Sequence, residues 1–164
     1  MGTTPGEPLY ALGFVLEAFL GRVRREQLRL SGAPTPTERL GGVAALGQSL
    51  ELLLRGVFGC FAAALAVSPE ALFAEVTAGK FRWEQAGAGQ LVWAIKACAG
   101  RLPCNDPLGR ALVREIVEGD GLFDRLVRLR NDTLHGRATP ERSTYEVLLD
   151  ATARRLGPLA PPQP

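Results

Sequence analysis

The chain of 164 residues is 46% hydrophobic and 22% charged, which fits one folded domain with its own core and excludes an intrinsically disordered chain. Lys and Arg number 19 against 17 Asp and Glu, a net charge of only +2, so any case for nucleic-acid binding has to be local. One histidine and three cysteines without CxxC spacing exclude a Cys/His zinc site and point to reduced thiols, with Cys60 read as a small hydrophobe inside an apolar helix.

The N-terminal MGTTPGEPLYALGF has no basic stretch ahead of its apolar residues and does not read as a signal peptide. A first helix is predicted over about 8–30, with Leu9, Leu12, Leu16, Phe19, Leu20 and Val23 on one face. Arg22, Arg25 and Arg29 gather near its C-terminal end, where cations suit the helix dipole. SGAPTPT is a loop, from which Thr37 is expected to cap a second helix through Glu38 to about residue 67. Its uncharged run at 56–67 is too short to cross a bilayer and reads as a buried core helix. Ser68 with Pro69 starts a short third helix to about 76.

Glycines in TAGKFRWEQAGAGQ weaken any helix there, and a helix resumes near Ala88 and runs to about Ala99. Asp106 with Pro107 opens another through about 117, which the EGDG turn breaks. Residues 121–135 then form the helix that carries the only histidine, with Gly136 as its C-terminal cap. Thr139 with Pro140 starts a last helix to about 156, and residues 158–164 read as a disordered tail. No segment has the alternation of a strand. The expected fold is all-α, one domain over 1–157, built as an up-and-down bundle of about four or five main helices plus short connecting helices.

One residue breaks the pattern. At about 100° per residue, Leu122, Phe123, Leu126, Val127, Leu129 and Leu134 share one side of their helix, and Arg130 falls in the middle of that arc. A guanidinium cannot be neutralised at accessible pH, so it must be paired, reach a cleft, or lie at a second subunit's surface. Glu17, Glu51 and Glu115 are the acidic partners considered for it. His135 lies about 140° around the same helix, so the two side chains converge only if the last turn unwinds or if a second copy supplies the partner. Taken alone, His135 also fits as a cap or dipole partner at a helix C-terminus.

Arg130-Asn131-Asp132-Thr133-Leu134-His135 resembles the R-x4-6-H motif of HEPN domains, with a polar residue after the arginine, late in a helical bundle and with one helix behind it. The resemblance covers the whole predicted bundle as a fold and the motif alone as chemistry. It implies a cytoplasmic, metal-independent and cofactor-free endoribonuclease acting as a homodimer in a bacterial defence or toxin setting, with an antitoxin or defence-system partner protein and no membrane attachment. Arg130, Asn131 and His135 would be catalytic. His135 would move protons at the 2′-hydroxyl or the 5′-oxygen, and Arg130 would hold the phosphate, leaving 2′,3′-cyclic phosphate and 5′-hydroxyl ends. Arg128 and Arg137 would hold flanking RNA phosphates, although their plainer role is a solvated helix face.

The position two residues after the histidine is Arg137, where HEPN toxins paired with a minimal nucleotidyltransferase carry tyrosine, so control by tyrosine modification is not expected. The competing class is a non-catalytic HEPN module for dimerisation, nucleotide binding or assembly with a partner. The discriminating observation is whether Arg130 and His135 point into one open cleft; with Arg130 buried against a carboxylate and His135 alone in bulk water, the enzyme reading fails. Two further stretches, RVRREQLRL at 22–30 and KFRW at 80–83, read either as nucleic-acid contacts or as a solvated helix end and a core cover.

Overall fold

The computed structural model describes residues 7–136 and 140–162. Among these the chain is all-helical: α1 (Glu7–Ser31), α2 (Pro36–Ala64), α3 (Pro69–Val76), α4 (Ala88–Cys98), α5 (Pro107–Glu118), α6 (Leu122–Leu134) and α7 (Arg142–Leu156), with single 3₁₀ turns at Trp83–Gln85 and Gly157–Leu159.

The long helix α2 is the centre of the molecule. It packs against α1, α4 and α6 and contributes Val43, Leu46, Leu50, Leu53, Leu54, Val57, Phe58 and Phe61 to the core. Each such side chain contributes about 1.5–3 kcal/mol by leaving water. By length and composition α2 could cross a membrane, yet half of its most apolar window is buried inside the fold. The apolar face predicted for α1 is buried at Leu12, Leu16, Phe19, Leu20 and Val23; the side chain of Leu9 lies outside the described ones.

Pairings fix the directions of the helices. Glu26 of α1 meets Gly42 of α2, while Leu12 and Val15 meet Gly56, so α1 and α2 are antiparallel. Along α6 and α4, Asp124 pairs with Lys96 while Val127 and Asn131 approach Gly89, again antiparallel. Tyr145 and Asp150 bring α7 back onto α1 at Glu26 and Gln27. The short helix α5 touches α2 through Gly109 and Cys60, and α7 through Glu115 and Arg155.

Several boundaries differ from expectation. Helix α2 is capped by Thr35, not Thr37: its Oγ1 accepts from the Glu38 N–H at 3.2 Å while the Glu38 carboxylate accepts from the Thr35 N–H at 2.6 Å. This is the reciprocal capping box, with Pro36 filling the first position, where no N–H is needed. The helix stops at Ala64 and not near 67, because Ala66 turns left-handed (φ 55°) and the Val67 N–H reaches back to the Ala62 carbonyl. Ser68 caps α3 and Asp106 caps α5, as predicted. Helix α7 begins at Arg142 with Glu141 at its N-cap, and the expected cap Thr139 lies outside the described residues. The tail predicted to be disordered is ordered at its start: Gly157–Leu159 forms a 3₁₀ turn, Leu159 and Ala160 pack on the core, and Pro161 closes on Gly13.

Candidate functional site

Helix α6 has Gly121 at its N-cap, whose left-handed φ of 67° follows a left-handed Asp120, so the chain reverses sharply out of α5. Leu122, Phe123, Leu126 and Thr133 then face the core. Arg130 shares that side and is accommodated by α2. A Cβ on Gly47 would stand 2.7 Å from Arg130 Cγ, so only glycine lets the arginine stem cross α2 at this level. The guanidinium then reaches Glu51, one turn further along α2. Arg130 Nη2 donates to Glu51 Oε1, and Nη1 donates to Asn131 Oδ1 at 3.0 Å. Arg130 and Glu51 are 22% and 24% exposed, so the pair is held in a partly dry groove but is not sealed from solvent. Of the acidic partners considered, Glu51 is the one Arg130 uses.

His135 is exposed and caps α6 in near-helical geometry (φ −90°, ψ 8°), with its N–H on the Asn131 carbonyl at 3.0 Å. Gly136 follows at φ 64°, the left-handed cap expected of it. The helical hydrogen bonding thus persists as far as the His135 N–H, although α6 itself ends at Leu134. Arg130 is thus paired with a carboxylate without being fully buried, and His135 is exposed at the end of the helix.

Asn131 stands between them, its Oδ1 on Arg130 and its amide nitrogen 3.9 Å from the Cβ position of Gly89. Arg128 is exposed and points away from this cluster, into a groove of about 670 Å³ between α6 and α7 that Arg125, Asp132, Ser143 and Thr144 also line. Arg137 lies outside the described residues. Among the described residues no group of three or more His, Cys, Asp and Glu is arranged to hold a metal ion.

The two other stretches resolve differently. Trp83 covers the core: its ring packs on Phe58 and Phe73 at centroid distances of 5.4 and 5.5 Å, with the Arg55 guanidinium 4.7 Å above it. Phe81 remains 40% exposed. In the 22–30 stretch Arg24, Arg25 and Arg29 are exposed, but Glu26 among them is only 2% exposed. Tyr145 donates to Glu26 at 3.1 Å, and Arg29 approaches it at 3.3 Å. Burial, with the Glu26 charge second, pushes the Tyr145 hydroxyl well above its ordinary value.

Sequence reasoning did not find Glu26. The signal for it was the pair Gly41-Gly42 in the middle of an apolar helix, since an interior helical glycine implies that something approaches closely. Gly47 carried the same signal for Arg130.

No protein-family model, curated protein or solved structure matches the chain. The site's chemistry is therefore argued from its own residues.

Proposed function

We propose that the chain is a HEPN-type endoribonuclease that works in the cytoplasm as a homodimer, each copy contributing one half of a composite Arg/His site and cutting RNA without a metal ion. The observation that carries this reading is the placement of Arg130: a cation on the apolar side of α6, admitted by Gly47, oriented by Glu51 and Asn131, and with a side chain left partly exposed. A cation held in place by its neighbours and still reached by solvent is one for which a phosphate can compete. An exposed His135 at the end of the same helix is available to a second copy across a two-fold axis, and two histidines would supply the acid and base that one cannot. Arg128, and Arg137 beyond the described residues, would hold flanking phosphates.

A second reading rests on Glu51. Its carboxylate already neutralises Arg130, which is what a non-catalytic helical module for dimerisation or partner assembly needs in order to tolerate the cation. The test is incubation of the purified protein with total RNA and EDTA, followed by mapping of fragment ends, beside Arg130→Ala and His135→Ala. The enzyme reading expects 2′,3′-cyclic phosphate ends from the wild type alone, with a loss on the order of a hundredfold or more in each variant, and a dimer by light scattering in all three. Cleavage retained in either variant sinks the mechanism; no cleavage by the wild type leaves the module.

A further inference from the structure

A second cluster of reactive groups lies away from Arg130, where the C-terminal third of α2 meets the start of α5. Cys60 projects from α2 and is buried, while Cys104, in the loop ahead of α5, is half-exposed. The two sulfurs share one small space made by Gly109, the third residue of α5. A Cβ there would stand 3.1 Å from the Cys60 sulfur and 3.0 Å from the Cys104 sulfur. Asp106 closes the cluster: one carboxylate oxygen caps α5 by accepting from the Leu108 N–H at 3.1 Å, and the other lies 3.7 Å from Cys60 Sγ.

Cys104 also opens outward. It lines a groove of about 420 Å³ with Phe61, Leu102, Val113, Arg110 and Arg114, so one sulfur of the pair can be reached from solvent over apolar walls with two arginines nearby. Hydrogen bonding from the Cys60 thiol, opposed by burial and supported by the Asp106 backbone and then the Arg110 charge, lowers Cys104 to about 7. The same hydrogen bond, with burial, raises Cys60. Cys98, buried alone, is pushed up to about 11 and is an internal control.

We propose that Cys104 and Cys60 are a redox-active dithiol, in which Cys104 is the thiol oxidised first by a hydroperoxide and Cys60 resolves the product to an intramolecular disulfide. The Cys104 thiolate attacks one peroxide oxygen, the O–O bond breaks, and Cys104 becomes a sulfenic acid while hydroxide leaves and is protonated to water. Cys60 then gives its proton to the adjacent Asp106 carboxylate and attacks the sulfenic sulfur, the S–O bond breaks, and the leaving hydroxide takes that proton from Asp106 to depart as a second water. The peroxide is reduced by two electrons, and two thiols are oxidised to one disulfide. Cys104 lies outside any helix, at residues free of regular structure between α4 and α5, so its backbone can approach Cys60 to the span a disulfide needs. Gly109 keeps the gap between the sulfurs clear.

The test uses the full chain, reduced and then treated with stoichiometric hydrogen peroxide at pH 7, and reads intact mass and peptide linkage. The wild type should lose two hydrogen atoms, link the Cys60 and Cys104 peptides, and leave Cys98 free. Cys60→Ser should instead accumulate a sulfenic acid on Cys104 that dimedone traps, and Cys104→Ser should slow peroxide consumption by on the order of tenfold or more. Since Cys60 is buried, far-ultraviolet circular dichroism of Cys60→Ser has to match the wild type, and Cys104→Ser, at a half-exposed loop position, gives the independent reading. In the wild type, alkylation of Cys104 should rise with pH about a midpoint near 7. Absence of the cross-linked peptide, oxidation of Cys98 as fast as Cys104, or a Cys104 midpoint at the ordinary thiol value each overturns the proposal. None of these readouts involves RNA, so the result is independent of the ribonuclease reading.

Discussion

Helix α2 admits a charged side chain from a neighbouring helix at two glycines, Gly42 and Gly47, and the two places are built differently. At Gly42 the visitor is Glu26, 2% exposed, closed over by Tyr145 and reached by Arg29. At Gly47 it is Arg130, 22% exposed, held by Glu51 and Asn131 along one side of its guanidinium. The first charge is buried, with Tyr145 inside the bundle and Arg29 reaching it from the surface. The second is paired at both terminal nitrogens yet its side chain stays partly exposed. A buried charge with its hydrogen bonds satisfied specifies how helices pack, whereas a partly open one can also exchange partners. That difference separates a packing device from a candidate site on the same helix.

The sharpest way to break the comparison is at the sealed end. In Gly42→Ala a Cβ would stand 1.9 Å from the Glu26 carboxylate, and Glu26 has no solvent to retreat into. Loss of the packing and of the Tyr145 hydrogen bond together should cost about 3 kcal/mol, read as a fall in the urea midpoint. Tyr145→Phe is gentler and should cost about 2 kcal/mol, because it leaves the packing and removes only the donor to a buried carboxylate.

The same variant carries a pH signature. The folded state holds the Tyr145 proton above the ordinary value of 10, so its contribution is fully present below pH 10. As pH rises further the unfolded chain loses that proton first, and stability falls by up to about 1.4 kcal/mol per pH unit. In Tyr145→Phe this part of the alkaline loss should be absent, while Cys60 and Cys98, which are also raised, contribute equally to both proteins. Equal alkaline slopes in wild type and Tyr145→Phe would mean that Tyr145 titrates as it does in water.

How much of this was legible in the sequence follows from which physical signals are local. Caps and breaks are local, so Ser68-Pro69, Asp106-Pro107, the turn before Leu122 and the cap at Gly136 were all readable in place. The Thr35 cap was equally local, in the spacing Thr35-Pro36-Thr37-Glu38, but the second threonine obscured it. Arg130 was visible as an exception because a period of 3.6 puts it among leucines. Which carboxylate met it was not visible: Glu51 is 79 positions away, and the choice depends on how α2 is rotated. Glu26 was hidden by its neighbours, since an acid in a run of arginines reads as one more solvated charge. Cys60 was read by itself as a small hydrophobe and Cys104 only as one of three reduced thiols, and only the fold brings them to the same glycine.

The smallest effect is expected at the open end, and it bears most directly on function. Glu51→Gln keeps the shape and a hydrogen-bond acceptor for Arg130 but removes the opposite charge. With both partners between a fifth and a quarter exposed, water replaces part of what is lost, and the cost should be about 1 kcal/mol. A double-mutant cycle with Arg130→Met should return a coupling of similar size; a coupling under about 0.3 kcal/mol would mean that the pair is not holding the arginine. The comparison with Glu26 gives this modest number its meaning. A cation whose carboxylate partner can be exchanged at so small a cost is one for which a phosphate can compete. The enzyme reading therefore expects Glu51→Gln to bind a short RNA at least as tightly as the wild type, even where loss of orientation slows its cleavage. Weaker RNA binding in a folded Glu51→Gln variant would instead make Arg130 a packing residue like Glu26.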